Sequence, residues 1–441
     1  MRTTLSVDGY EKKRELVRSP MKSVIFPRGS LFHPLGNRVF RRFWFASLFS
    51  HSGIWACFMT TSWIMSDLSS DPSTAASVQT ALYLPVVLLA IVAGYLVDQG
   101  SPRFFLLSAH WALMIATIAA IVLIVFGALT EKSLWFLTFV CGCGFAFVTP
   151  AWNSIAASVV PKSHALRSAV LGSFSYSLAR LVVSVLGGIA LSHGGSLGGM
   201  TVVCFCLLFS IALFTVVIPQ EYHSFRTCRL SFPANVLGSF NANIRMICAA
   251  GFMTSIGASV VWALLPLLVK RMHSGPTMLG LQMALLGFGA VASIALIHVL
   301  APRLSFRTFL AVMTLQLSSG IAVYALTLDL PADMSTVVLS ISSFAIGIAW
   351  TISQSLMTGA CLQLSAPGAA ATAIGWYLTS SYLGFALASP LWGLISRISL
   401  LHAFTGSAAV AATSAIYTSI AFPTIERTLS NSDGAQKEHC S

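Results

Sequence analysis

This sequence has few charged residues. Only 9% of its 441 residues are charged, whereas 56% are hydrophobic. A soluble domain carries about 25% charged residues, so a water-soluble fold would have too few charges to cover its surface. A membrane removes this difficulty, because lipid replaces water around most of the chain. The length leaves room for about a dozen helices of roughly 20 apolar residues, the number that crosses a hydrocarbon core.

The nine cysteines form neither a disulfide framework nor a metal-ligand pattern. Cys141 and Cys143, like Cys204 and Cys206, lie inside apolar runs, where we expect small packing residues. We also expect no secretory signal peptide, because the first apolar run begins near Phe43 after a long basic segment. The sequence predicts no cofactor and no metal.

What is abundant is long apolar runs, and each is long enough to cross a membrane as a helix. They predict an all-α polytopic membrane protein with twelve transmembrane helices at about 40–66, 75–97, 103–128, 133–158, 165–191, 197–218, 243–269, 276–300, 307–328, 335–360, 370–395 and 400–422. The expected organisation is a basic tail (1–36), a six-helix half (37–218), a linker (219–242), a second six-helix half (243–422) and a second tail (423–441).

The basic residues indicate the orientation. Twenty of the 25 Lys and Arg residues lie in the N-terminal segment, the even-numbered connections and the C-terminal tail. Lys132, Lys270, Arg271 and Arg397 lie on the opposite side, and Arg180 lies inside a helix. Loops rich in Lys and Arg stay in the cytoplasm, so we expect both termini there. The net charge of +12 then reflects topology and contact with lipid headgroups, not nucleic-acid binding.

The two halves of the sequence resemble each other at a shift of about 203 residues. Gln79 then meets Gln282, Gly144 meets Gly347, and Gly172 meets Gly375; one residue further, Asn37 meets Asn241 and Gly53 meets Gly257. Two parallel six-helix repeats, with a substrate site near the midplane between them, describe one major class of secondary transporters.

Several motifs carry a family resemblance. They are Asn37-Arg38-Val39-Phe40-Arg41-Arg42-Phe43-Trp44, Gly53-Ile54-Trp55, Gly94-Tyr95-Leu96-Val97-Asp98, Thr149-Pro150-Ala151-Trp152, Leu178-Ala179-Arg180, Gly187-Gly188 and Leu391-Trp392-Gly393. As a set, the sequence resembles the enterobactin-exporter-like branch of the major facilitator superfamily. The resemblance implies the major facilitator fold, proton-driven export of siderophores, drugs or other amphiphilic compounds, and a monomer in a bacterial inner membrane. The sequence departs from the family where Gln99 and Gly100 follow Asp98, and where Val183-Ser184 precede Gly187-Gly188.

Acidic residues are scarce, and none of the thirteen falls in the middle of an apolar segment. Proton-coupled transporters commonly use a buried carboxylate, so the candidates for coupling are Asp67, at a helix end, and His51, which titrates near neutrality. Gly94, Asp98 and Arg103 are the candidate gating residues of loop 2–3. For His51, a neutral histidine that hydrogen-bonds neighbouring helices is the alternative; for Asp98, a solvated loop acid.

Arg180 lies about halfway along the fifth predicted helix, where an arginine needs a partner or a wet cavity. Ser173, Ser177, Arg180 and Ser184 recur at helical spacing and share one face, with Tyr176 beside them. This face is predicted to line a cavity in which Arg180 attracts an anionic or catecholate-like group. Alternatively, Arg180 braces neighbouring helices through backbone carbonyls.

Other polar and aromatic residues complete the predicted cavity: Trp55, Gln79, Asn153, Gln282, Trp350 and Gln354. Hydrogen bonds between helices are the alternative role for the amides. The sequence thus favours a proton-coupled transporter that exports a small amphiphilic molecule and is in contact with lipids. An importer or facilitator with the same fold, and a non-transporting sensor or assembly factor, stay open. An enzyme is not expected, because paired intramembrane carboxylates and His-rich metal motifs are absent.

Overall fold

The computed structural model describes residues 33–160, 165–218, 240–301, 303–365, 370–423, 425–426 and 428. Within these ranges the chain is helical and contains no strand. After a 3₁₀ turn at His33–Gly36, the helices are α1 (Arg38–Leu68), α2 (Pro72–Ala76 and Val78–Gln99), α3 (Pro102–Val125), α4 (Glu131–Val159), α5 and α6 (together Ala165–Val217, with a break at Gly195), α7 (Ala242–Arg271), α8 (Pro276–Leu300), α9 (Phe306–Leu326), α10 (Ala332–Leu364), α11 (Ala370–Ile398) and α12 (Leu400–Ala421).

Ten helical stretches of the described chain are long and apolar enough to cross a membrane. One of them, Val170–Val217, contains both α5 and α6. The first helix is absent from the ten, although it is 31 residues long, because its serines, threonines and histidine lower its hydropathy. Except for half-buried Ser52, those side chains are buried inside the protein. The expected twelve-helix fold is confirmed.

The turn between α5 and α6 depends on Gly195. Its φ of 56° and ψ of −151° are helix-breaking and favour glycine. After the turn the chain folds back, so that Gly198 packs on Ala190, and Gly199 on Leu191 and on Thr60 of α1. The sequence segments predicted a loop at 192–196, whereas the structure reverses the chain at a single residue.

Two sets of equivalent hydrogen bonds show the pseudo-symmetry of the halves. Asn37 caps α1 and its side-chain amide donates to the carbonyl of Val159, at the end of α4 (3.3 Å). Asn241 caps α7 and donates to Leu364, at the end of α10 (3.3 Å). Each bond ties the first helix of a half to the end of its fourth.

The second set joins the third and sixth helices of each half. Arg103 donates to the carbonyl of Thr215 (3.0 Å), and Arg307 donates to Ser419 (3.3 Å). Each helix start is thereby tied to a helix end that carries unpaired carbonyl groups. Both sets lie on the face where α1 begins and α12 ends, which we call the terminal side; the opposite face is the far side.

Helices within each half approach closely through glycine. A side chain at Gly289 of α8 would overlap the carbonyl oxygen of Phe344 in α10, and one at Gly347 would overlap that of Leu286. Small residues allow such backbone contact in membranes, where packing replaces the hydrophobic effect as the force between helices.

We therefore expect Gly289→Ala to destabilise the protein by about 1–3 kcal/mol, because the new methyl group must separate α8 from α10. Gly359→Ala is the matched control. It lies in α10 with no atom within 4 Å of the added carbon, so it is expected to raise helix stability slightly. Thermal unfolding of the purified protein in detergent measures both changes. Equal unfolding temperatures for the two variants would contradict the packing analysis.

Candidate substrate site between the two halves

Two ion pairs join the halves at the far side. Asp71 caps the first turn of α2 and accepts from Arg397 of α11 at both oxygens, with each distance 2.7 Å. Lys270 of α7 pairs with Asp67 of α1 (2.6 Å) and also donates to the carbonyl of Ser66 (2.5 Å). The far-side ends of α1 and α2 are thus attached to those of α7 and α11.

Deeper in the membrane, α5 contacts α8 and α2 contacts α11. Gly280 packs against Gly188 and the carbonyl of Ser184. Thr80 donates to the carbonyl of Ala386 (2.6 Å). These contacts lie in the far-side half of each helix, so the halves are closed against each other there.

Toward the terminal side, the polar face of α5 becomes exposed. Ser184 is 1% exposed, Arg180 4% and Ser177 8%, whereas Ser173 is exposed. The facing residues of α8 follow the same trend, from buried Ala284 through half-buried Val291 to exposed Ala295. The two helices therefore separate as they leave Arg180 toward the terminal side.

The same trend holds for α2 and α11. A side chain added at Gly94 or Gly375 would meet no atom within 4 Å, although both helices are in contact at their far-side ends. This geometry corresponds to a transporter that is closed on the far side and open on the terminal side.

The predicted residues of the first half gather around Arg180. Its guanidinium lies 5.0 Å from the centre of the Trp55 ring and donates to the carbonyl of Leu286 in α8 (2.7 Å). Tyr176 packs on Trp55 (5.3 Å between rings) and on His51 (5.2 Å). His51 forms a hydrogen bond with Ser175 of α5 (2.9 Å).

Arg180 is energetically unfavourable at this depth in the membrane. An arginine at the bilayer centre costs about 2.5–3.5 kcal/mol on insertion scales. The carbonyl of Leu286 and the ring of Trp55 offset part of this cost. Nε of Arg180 is buried without a hydrogen-bond partner, as is Nε1 of Trp55.

Aromatic residues of the second half face this cluster. Tyr382 of α11 stacks on Tyr83 of α2 (5.2 Å, 13° between planes) across the junction. Phe385 contacts Tyr83, Trp262 and Trp350 at 5.2, 5.5 and 5.5 Å. The junction of the halves is therefore lined by aromatic rings on both sides.

The four amides predicted for the cavity have different surroundings. Gln79 donates to the carbonyl of Trp262 (3.3 Å) and so bridges the halves, whereas Gln282 bonds Ser340 and Ser343 inside its own half. Gln354 is half-buried and donates to Ser381 (3.4 Å). Asn153 is exposed toward the terminal end of α4. Interhelical bonding thus accounts for Gln282 and Gln354 within the second half, whereas the bond of Gln79 crosses the junction.

The predicted gating residues are spread over the terminal side. Arg103 bonds Thr215, the tie repeated in the second half by Arg307. Asp98 lies in the last turn of α2, and its side chain is outside the described part of the chain. The gating role of Gly94, Asp98 and Arg103 stays a prediction. Asp67, a candidate for coupling, is bound by Lys270 at the far side.

Sequence reasoning missed Tyr83, Tyr382, Phe385 and Trp262, and it missed the pairing of Asp71 with Arg397. A tyrosine or phenylalanine inside an apolar run has no pattern that separates cavity from lipid. The acid and base of a pair 326 residues apart carry no local signal either.

A family model described as transmembrane secretion effector matches residues 29–439. The chain belongs to this family. Membership of this family makes the chain a membrane transporter of the major facilitator type, and its fold agrees with that. The match supports the superfamily named by the sequence motifs, while the enterobactin-exporter-like branch stays a resemblance. No curated protein matches the sequence.

Solved structures share the fold at low sequence identity. A POT family transporter in complex with a thioalcohol-conjugated peptide has a TM-score of 0.69 and 13% identity, covering 88% of this chain and 96% of that one. The nucleoside transporter NupG, as a mutant, has a TM-score of 0.65 and 13% identity, with 89% and 99% covered. A bacterial homologue of human lysosomal Spinster, inward-facing and unoccupied, has a TM-score of 0.60 and 13% identity, with 92% and 98% covered.

The exposure trend along α5 predicts a labelling order. Single cysteines at Ser173, Ser177 and Ser184, with the natural cysteines replaced by serine, are expected to react with a water-soluble maleimide in the order 173, 177, 184. The separation of α5 from α8 admits water from the terminal side only. Mass spectrometry of the labelled protein gives the rates. Equal rates at all three positions would contradict the described opening.

Proposed function

We propose that this protein exports a small amphiphilic organic compound by alternating access, and that the described state is open to the cytoplasm. The observation that carries the proposal is the graded exposure from Ser184 to Ser173, combined with ion pairs that close the far side. A site in the middle of the membrane, reached from one side only, is what alternating access requires.

The direction and the substrate class rest on separate observations. The excess of Lys and Arg in loops on the terminal side supports a cytoplasmic location for that side. The family description, secretion effector, favours export. Aromatic rings beside a polar helix face suit a compound with both apolar and polar parts. A siderophore or a drug-like molecule has this character.

Proton coupling is part of the proposal, with Asp67 and His51 as the candidates. Protonation of Asp67 would release Lys270 and weaken the far-side closure, so a proton arriving from outside would favour the outward-open state. The described membrane-spanning segments contain no carboxylate near Arg180. This absence favours the second candidate function, an uncoupled facilitator or an importer of a siderophore or metabolite.

We further propose the division into an N-terminal half (37–218) and a C-terminal half (243–422), working as a monomer surrounded by lipid. Residues 1–32 of the N-terminal tail (1–36) and 219–239 of the linker (219–242) lie outside the described residues, as does most of the C-terminal tail (423–441). Within each half, the Asn37, Asn241, Arg103 and Arg307 bonds favour movement as one body.

Flux tests the function. Inside-out vesicles are expected to accumulate a fluorescent dye or a catecholate siderophore when a proton gradient is applied, and an uncoupler should abolish the accumulation. Arg180→Ala should lose most of it, because the central site loses its charge. Arg271→Ala is the control, since this far-side arginine is exposed and belongs to neither of the two ion pairs that join the halves. If the compound only equilibrated across the membrane, whether or not a proton gradient was applied, the result would instead support a facilitator.

The far-side pair of Asp71 and Arg397 predicts how closure depends on pH. Arg397 holds the pKa of Asp71 well below its usual range through the paired hydrogen bonds. A carboxylate whose pKa is lowered by an ion pair of the closed state stabilises that state above the pKa of the unpaired group, about 3.9, and the effect is lost as pH falls from there through the lowered value. We therefore expect closure by this pair to be constant from roughly pH 8 to 5.

Labelling of a cysteine at Ser184 from the far side measures the closure. Asp71→Asn should raise the labelling at every pH, and the exchange of Asp71→Arg with Arg397→Asp should lower it again. The prediction would be contradicted if labelling of the parent protein rose steeply between pH 6 and 5. An equal rise in Asp71→Asn would show that a different group controls the opening.

A further inference from the structure

We infer that the substrate carries an anionic group with paired oxygen atoms, such as a carboxylate, next to an aromatic ring, and that Arg180 and Trp55 bind this group. The inference rests on the proposed function and names the chemistry of its site. It follows from the unused donors, the charge and the rings at the junction.

The polar atoms without a partner on Arg180 and Trp55 are donors. Arg180 uses Nη2 for the carbonyl of Leu286, while its buried Nε has no partner. Nε1 of Trp55 also has no partner, and Trp55 is buried, with only 6% of its surface exposed. A buried donor without an acceptor is costly, so a ligand that supplies oxygen acceptors is favoured over one that supplies further donors.

The charge at the junction is also uncompensated. The acids nearest to the membrane on the far side, Asp67 and Asp71, are already paired with Lys270 and Arg397. Tyr176 and Tyr83 are the titratable side chains that interact with Arg180, and both are neutral in their ordinary state. An anion entering from the terminal side would therefore be attracted, and a cation would be repelled.

The bond to Leu286 does not exhaust the guanidinium. Bracing of α8 accounts for one nitrogen of Arg180, and the planar fork leaves Nε for a carboxylate, which arginine commonly binds through two parallel bonds. The indole N–H of Trp55, whose ring lies beside the guanidinium, is a second unpaired donor. Bracing of the helices by Arg180 does not use this donor, whereas an anionic ligand could.

The rings define the rest of the ligand. Trp55 and Tyr176 pack beside the guanidinium, and the Tyr83–Tyr382 stack spans the two halves. Tyr83, Tyr176 and Tyr382 are half-buried and so present ring surface to the junction. An aromatic body attached to the anionic group would lie against them by offset or edge-to-face contact.

Three probes of one shape test the inference: naphthalene-2-carboxylate, naphthalene-2-carboxamide and naphthalen-2-ylmethylammonium. Binding is measured by titration calorimetry on the full chain in nanodiscs of phosphatidylcholine, which adds no net charge. We expect the carboxylate to bind the parent protein about tenfold or more tightly than the carboxamide, as charge-assisted bonds do, and the ammonium to bind most weakly.

Arg180→Gln should lower the affinity for the carboxylate to that for the carboxamide and leave the carboxamide within about twofold. Arg180→Lys should keep part of the preference, because it retains the charge without the fork. Arg271→Gln removes the same charge from the far-side surface and should change nothing. If Arg180→Gln does not fold, Trp55→Phe serves instead, with a several-fold loss for the carboxylate expected.

Equal affinities for carboxylate and carboxamide in the parent would overturn the inference. So would a preference that survives in Arg180→Gln, an unchanged carboxylate affinity in Trp55→Phe, or no binding of any probe. The proposed function is tested separately. Anion binding through Arg180 without flux of any compound would support this inference and contradict the proposed transport. Flux without a preference for anions would support the transport and contradict this inference.

Discussion

A positive charge in the middle of the membrane sets the conditions for the rest of this structure. Arg180 has no acid beside it in the described chain, and its partners are a backbone carbonyl of the opposite half and an aromatic ring of its own. Because lipid cannot solvate it, the charge must stay at the junction of the halves, where protein or water can. The polar face of α5 therefore cannot turn to lipid, and the bond to Leu286 makes α5 and α8 the pair about which the junction is organised.

Bonding differs between the inside of each half and the junction. Inside a half, side chains bind helix ends in the same way twice, with Asn37 matched by Asn241 and Arg103 by Arg307. At the junction, the halves meet through glycine and backbone contacts and through exposed ion pairs such as Asp71–Arg397. Exposed ion pairs contribute little to stability, because water competes for each partner. Rigid halves joined by weak contacts are suited to exchange between two closures.

The fold could be predicted from the sequence because the membrane imposes a length on each helix and the chain repeats itself. The repeat aligned Asn37 with Asn241, and the structure gives these two residues equivalent hydrogen bonds. Arg180 could be singled out because a charge inside an apolar run is a strong signal. Its partner could not, since Leu286 offers a backbone carbonyl that any residue has. The bond of Arg103 had no signal in the sequence for the same reason, since it ends on the backbone carbonyl of Thr215; the gating role of Arg103 stays a prediction.

The distance between the halves on each side of the membrane tests the account most directly. Spin labels at exposed Arg38 and Ala242 report the terminal side, and labels at exposed Lys132 and Asp333 report the far side. We expect two populations in nanodiscs. In the population described here, the terminal-side distance is long and the far-side distance is short. In the other population, the terminal-side distance is short and the far-side distance is long. A single unchanging distance on both sides, or two distances that lengthen together, would contradict it.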